Sequence, residues 1–162
     1  MFIKIRTATM ADLAAVAAVE KACFPPAEAA TADEFRDRLA HYAAHFWLLF
    51  DEKGDLVSFV DGMVTDERDL TDAMYAQAAM HDEKGAWQMI FGVNTLPSCR
   101  RHGYAGKLLE AAIADARQQG RQGLVLTCRQ APPVLCEIRL PERRHQRLRP
   151  RRRHMVPDAA DF

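Results

Sequence analysis

Residues Arg100-Arg101-His102-Gly103-Tyr104-Ala105-Gly106 put two guanidiniums and three small residues directly before an amphipathic segment, an order that suits a diphosphate. The N–H groups of a helix's first turn and the positive end of its dipole favour an anion, and small residues let phosphate oxygens approach the backbone. The arginines add charge-assisted donors. Upstream, Trp87 to Val93 is short, apolar and partly alternating, as a strand should be, and Asn94, Thr95, Pro97 and Ser98 end it. Downstream, Leu108, Leu109, Ala112, Ile113 and Ala116 recur at helical spacing. A strand therefore feeds a glycine-containing loop that opens a helix. No Gly-Lys-Ser/Thr follows, which excludes a Walker loop, and the three spaced glycines of a dinucleotide fingerprint are missing. A tight turn with a solvated basic rim would have the same composition.

The loop resembles the acetyl-coenzyme A loop of the GNAT N-acetyltransferases, Arg/Gln-x-x-Gly-x-Gly/Ala, with Arg100, Gly103 and Ala105 in its fixed positions. The flanking text, GAWQMIFGVNTLP before it and GRQGLVLTCR after it, is similar to bacterial relatives of the arylalkylamine (serotonin-type) branch, and the resemblance spans residues 3 to 129. It implies an α/β chain with the GNAT acyl-CoA acyltransferase fold: a mixed central sheet flanked by helices, with an atypical or incomplete C-terminal part. It also implies acetyl-CoA as co-substrate, lying between two splayed strands. The residues implied to bind it are Phe91, Val93, Asn94, Thr95, Arg100, Arg101, His102, Gly103, Tyr104, Ala105 and Gly106. Val93 and Thr95 would offer backbone groups to the pantetheine arm, and an N–H near Val93 would polarise the thioester carbonyl. The implied activity is direct acetyl transfer to a primary amine, on a small molecule or a protein.

Such a transfer needs a base for the amine and an acid for the departing thiolate. The two strand histidines of the serotonin-type enzymes align with Met89 and Phe91, so the base must come from elsewhere. Gln88 can order a water chain, and Glu20 lies on a helix that borders the amine side in this family; Asp61 and His81 are further candidates. The family's acid is a tyrosine on the last helix, and no tyrosine follows Tyr104. Phe24, Phe46, Met63 and the stretch Met74 to Met80 are apolar residues that could line an amine pocket or simply fill a core. An acyl-CoA binder with impaired catalysis is the alternative.

Stepping outward, the elements are Ile3 to Arg6 as a strand, Asp12 to Cys23 and Thr31 to Ala43 as helices, and Phe46 to Phe50 and Leu56 to Val64 as strands around a hairpin loop. Residues 65 to 85 form an excursion with a short helix around Leu70 to Ala79, and Gly123 to Cys128 is another strand. The chain has 162 residues, one domain's worth. Basic and acidic residues are equal at 22, so net charge selects no partner. The four cysteines form no CxxC pair and no metal spacing with histidine, so no metal is expected. Without an apolar run long enough to span a membrane, or a signal-peptide core, a cytoplasmic location is the expectation.

The division expected is an acetyltransferase domain over 1–129, with its acetyl-CoA-binding core at 86–128, and an Arg/Pro-rich tail over 130–162. Eight arginines in that tail face four acidic residues, and its pattern supports neither a strand nor a useful helix. Reverse-translating Pro133 to Phe162 and reading from the second base of each codon gives an aromatic pair, then Phe-Gly-Tyr, then Trp-Tyr. Met155-Val156 forces the tryptophan, since ATG-GTN is their sole coding. That text is a fluent ending for this family, so the tail reads as frame-shifted from about Gln130. An RNA-associated arm is the competing reading, but Phe162 is the one aromatic after Tyr104 and base stacking has no platform, so nucleic acid is not the expected partner. A tail that fails to finish the sheet would leave apolar surface open to a homodimer partner.

Overall fold

The computed structural model describes residues 3–67, 70–128, 134–140 and 149–150. The chain begins with β1 (Lys4–Thr7), α1 (Leu13–Cys23) and α2 (Ala32–Tyr42), then β2 (Phe46–Phe50), β3 (Leu56–Asp61) and the two-residue β4 (Val64–Thr65). The excursion carries α3 (Asp72–Ala76) and leads to β5 (Trp87–Ile90), β6 (Gly92–Thr95) and α4 (Tyr104–Gln118). Strands β7 (Gly123–Cys128), β8 (Val134–Arg139) and β9 (Arg149–Pro150) follow. This is the expected α/β architecture.

Local chemistry sets several boundaries. Thr31 Oγ1 accepts the Glu34 N–H at 3.2 Å while the Glu34 carboxylate accepts the Thr31 N–H at 3.2 Å, a reciprocal cap that starts α2. Asp12 accepts the Thr9 N–H and both terminal nitrogens of Arg6, each at 2.8 Å, fixing the turn that leads into α1. In the β2–β3 hairpin, Asp51 Oδ1 accepts the Lys53 and Asp55 N–H groups, and Gly54 takes φ +84°, which glycine adopts without strain.

Two sheets share these strands. The first is antiparallel, in the order β1-β2-β3-β6; the second runs β4-β5-β7-β8-β9, with β5 and β7 parallel. Side chains alternate between faces. Along β2, Phe46 and Leu48 enter the core under α1 and α2, whereas Trp47 and Leu49 enter the core under α4. Leu124 and Leu126 of β7 likewise join the α4 side and Val125 the other.

β5 and β6 are one run of chain broken at Phe91. Before the break the strand pairs with β7, from Trp87↔Gly123 to Ile90↔Leu126; after it, the strand pairs with β3, from Asp61↔Gly92 to Ser58↔Thr95. Beyond Ile90 and Leu126 the two parallel strands part, and a wedge opens between β6 and the end of β7.

The tail departs from expectation at two strands. Val134–Arg139 pairs antiparallel with β7 through six registered residues, and Arg149–Pro150 adds a further short strand. The run Val134 to Ile138 is mostly apolar and contains a β-branched residue at each end, which suffices for backbone pairing whatever the arginines around it. The tail positions 130–133, 141–148 and 151–162, and with them the proposed shift point at Gln130, lie outside the described residues.

Gly62 sits where the first sheet crosses the second: a Cβ there would run into the Met89 carbonyl, which belongs to backbone and cannot move aside. Gly62→Ala should therefore cost about 3 kcal/mol, at the upper end of overpacking, read as a lowered urea midpoint at unchanged slope.

Candidate active site

The wedge is built from backbone. Leu96 donates its N–H to the Val57 carbonyl at 2.9 Å, so the two-residue period of a strand turns the N–H groups of Asn94 toward β3 and those of Val93 and Thr95 toward the wedge. The Thr95 carbonyl is engaged, accepting from Cys23 Sγ at 3.3 Å and Arg100 Nε at 3.2 Å. The chain then turns through a single 3-10 turn at Pro97–Cys99 into the loop.

Arg101 has φ +67° and Gly103 φ +76°, and the space where a Gly103 side chain would stand is open. The first bond inside α4 runs from the Lys107 N–H to the Gly103 carbonyl at 3.1 Å, so the amides of Gly103, Ala105 and Gly106 precede any carbonyl of that helix. His102 Nδ1 lies 2.9 Å from both the Cys99 and Arg100 carbonyls, and its ring stacks on Tyr104 at 5.3 Å, which ties the loop down. Amides at a helix start, a left-handed glycine and an exposed Arg101 together fit a pyrophosphate. Arg100 is exposed too, but its Nε braces the loop.

On the α1–α2 side of the same strand lies a cavity of about 420 Å³, with Glu20, Phe24, Arg38, Asp61, Tyr75 and Asn94 among its lining. Arg38 and Asp61 are both buried, and Arg38 Nη1 donates to Asp61 Oδ2 at 3.2 Å while Nη2 donates to the Tyr75 carbonyl at 3.1 Å. Glu20 accepts from the Ala30 N–H at 2.8 Å and from Asn94 Nδ2 at 2.7 Å. Burial, opposed by Arg38 and reinforced by Glu20, pushes the Asp61 carboxyl up to about 6. Burial also raises Glu20 and Tyr42, whose hydroxyl is buried without a hydrogen-bond partner among the described residues.

The sequence candidates thus part company. Val93, Asn94 and Thr95 lie along β6, and Arg100 to Gly106 form the loop at the end of the wedge. The Phe91 ring stands instead in the cavity on the α1–α2 side, 4.6 Å from the Tyr75 ring and 5.3 Å beneath the Arg38 guanidinium. Glu20 is in that cavity with Asp61. Gln88 is not: it is wholly buried, its Nε2 directed to the carbonyls of Gly62, Met63 and Met89 and its Oε1 taken by His45 Nδ1 at 2.9 Å. Phe24 lines the cavity, whereas Phe46, Met63 and Met74 are core.

His45, His81 and Glu83 offer ligand atoms within 4.8 Å of one another. Their hydrogen bonds describe a proton network instead. His81 Nδ1 accepts the Val64 N–H at 3.0 Å, which leaves the proton on Nε2, facing Glu83, and Arg121 Nη2 holds the other Glu83 oxygen at 2.7 Å.

Arg38 escaped the sequence reading, although the signal was there. Phe35, Arg38, Leu39 and Tyr42 follow the i, i+3, i+4, i+7 spacing, so the arginine stands on the apolar face of α2, where an unpaired charge does not belong.

Comparison with known proteins agrees with this fold. Residues 13–133 match the model of the acetyltransferase (GNAT) family. No curated protein matches the chain. Among solved structures, the loading GNATL domain of CurA from Lyngbya majuscula superposes with a TM-score of 0.71 at 22% identity, over 82% of this chain and 68% of that one. The GphF GNAT-like decarboxylase in complex with isobutyryl-CoA gives 0.70 at 28% identity, over 80% and 68%. A GNAT acetyltransferase from Brucella melitensis in complex with acetyl-CoA gives 0.55 at 21%, over 80% and 77%.

Removing one partner of a buried ion pair strands the other. Arg38→Met should destabilise the fold by about 3–5 kcal/mol, and adding Asp61→Asn should recover part of that loss, a non-additivity that urea unfolding of the double-mutant cycle will display.

Proposed function

The chain belongs to the acetyltransferase (GNAT) family, and from that premise we propose that it moves an acetyl group from acetyl-CoA directly to a primary amine, carried by a small molecule or a protein. The observation that carries this reading is the adjacency of two sites on β6. Val93 and Thr95 border the wedge with backbone groups, while Gly92 and Asn94 face the acidic cavity with their side-chain positions. Neighbouring residues of a strand are about 3.3 Å apart, so donor and acceptor meet with no covalent relay.

Acetyl-CoA supplies the activated acyl group when bound. The amides of Gly103, Ala105 and Gly106, with Arg101, hold its pyrophosphate, and the Val93 N–H is placed to stabilise charge on the thioester oxygen. Asp61 takes a proton from the ammonium. The amine nitrogen then bonds to the acyl carbon as the C–S bond breaks; of its two remaining protons, one passes to the departing thiolate and the other stays on the amide nitrogen. Burial sets the titration of Asp61 first, with Arg38 from α2 drawing it down and Glu20 from α1 pushing it further up.

One observation favours a second reading. A guanidinium buried in the acceptor cavity, together with the likeness to the GphF decarboxylase, suits an acyl-CoA whose acyl group ends in a carboxylate and is lost as CO2. The engagement of Arg38 by Asp61 weighs against it. Release of CO2 from malonyl-CoA by a chain that acetylates no amine would select this second activity.

Purified protein given acetyl-CoA and a panel of amines should release free coenzyme A. Gly103→Val, which forces a β-branched residue into a left-handed position, should weaken acetyl-CoA binding at least tenfold by calorimetry. Binding without coenzyme A release would mark an impaired enzyme. Because an acid raised to about 6 is a base only above that pH, kcat/KM for the amine should fall as pH drops through about 6, and Asp61→Asn should abolish that limb.

A further inference from the structure

We propose that Gly92 is the specificity-determining position of the acceptor cavity, and that the space over it is a seat for an unsubstituted primary ammonium held by Asp61 Oδ1 and Asn94 Oδ1. The proposal rests on the amine reading above and gives it an address.

The hydrogen-bond inventory of the cavity leaves two acceptors over. Asp61 Oδ2 is held by Arg38, whereas Oδ1 takes no hydrogen bond among the described residues. Glu20 is occupied by the Ala30 N–H and by Asn94 Nδ2, and that bond fixes the Asn94 amide so that its Oδ1 is buried with no partner among the described residues. A buried acceptor left open costs about 1–3 kcal/mol, so a site that retains one is built to receive a donor.

Both oxygens converge on one place. A Cβ on Gly92 would lie 3.5 Å from Asn94 Oδ1 and 3.6 Å from Asp61 Oδ1, and glycine leaves that volume vacant. The adjoining wall is aromatic, with Phe91 and Tyr75 at 4.6 Å between ring centroids, and a cation is welcome over their faces. Among the described residues, the charges lining the cavity are the carboxylates Glu20, Glu28, Glu34 and Asp61 against the guanidinium of Arg38, a balance that an ammonium corrects. An ammonium presents three donors and no acceptor, which matches the two open oxygens; Asn94 Nδ2, also 3.5 Å from that Cβ, is turned to Glu20 Oε1 by its 2.7 Å hydrogen bond. Its three hydrogens also set the size limit. The seat is one side-chain position wide, so methyl groups on nitrogen would displace it from both oxygens.

The test is Gly92→Ala. Its methyl meets neighbours only at ordinary contact distance, so the fold is retained, yet it stands in the seat. With phenethylamine and 1,4-diaminobutane as probes, KM for the amine should rise at least tenfold while KM for acetyl-CoA stays within twofold. In calorimetry with no acetyl-CoA present, the same amines should bind wild type at least tenfold more tightly than Gly92→Ala. Phenethyl alcohol and the N,N,N-trimethyl amine should not compete. Asn94→Leu, which removes the second oxygen without filling the space, should raise amine KM in the same direction. If wild type acetylates these amines and Gly92→Ala does so with unchanged KM, or if the trimethyl compound competes equally, the seat is refuted and the amine reading stands. If wild type binds acetyl-CoA and acetylates no amine, both fall together.

Discussion

The structure turns on the break at Phe91. A strand that continued straight would stay bonded to β7 throughout, and the sheet would close over the place where an acyl-CoA must enter. The chain instead exchanges one partner for another within a single residue, leaving β7 after Ile90 and joining β3 from Gly92. Backbone groups that would have bonded to β7 are left facing an opening, with no side chain needed to make the site. The exchange is held by bonds across the crossing: the Phe91 N–H reaches the Asp61 carbonyl at 2.7 Å and the Met89 N–H reaches the Met63 carbonyl at 2.8 Å. The close approach this requires is why a glycine stands at 62.

The same break decides what lies on the other face. Turning the chain at Phe91 brings its ring out of the sheet and under Arg38, and it places Gly92 and Asn94 beside the end of β3, where Asp61 sits. Burying the Arg38–Asp61 pair is not a source of net stability, since desolvation of two charges offsets their attraction. What the pair does is fix which Asp61 oxygen remains open, while Glu20 does the same for the Asn94 amide. Polar groups in a core are costly, and here the cost falls where chemistry is expected.

Most of this was legible in the sequence as pattern. Periodicity and turn residues located β1, both N-terminal helices, the hairpin at 51–55, the short helix of the excursion and α4, because each is specified by local residues. The loop from Arg100 to Gly106 was legible as a turn into a helix because its small residues and the helix start are local too. The cavity beside β6 was not, since Glu20, Arg38, Asp61 and Asn94 come from four elements and meet only after packing. Gln88 illustrates the converse. Read along the chain it is a polar residue at the site strand, but the strand's period carries its side chain into a buried network with His45. A single strand offers polar residues to two faces, and only the fold says which face is which.

The tail shows how far backbone pairing depends on side chains. Its arginines and prolines argue against any element when composition is averaged over residues 130 to 162, yet β8 needs only six residues, and a neighbour with an unpaired edge, to form. β7 is already bonded to β5 along one edge at its beginning, so β8 takes the other edge. The consequence for the wedge is direct. Because β8 pairs with Thr127 and Cys128 from the outer side, the inner edge of β7 beyond Leu126 stays turned toward β6, and the opening created at Phe91 keeps its second wall.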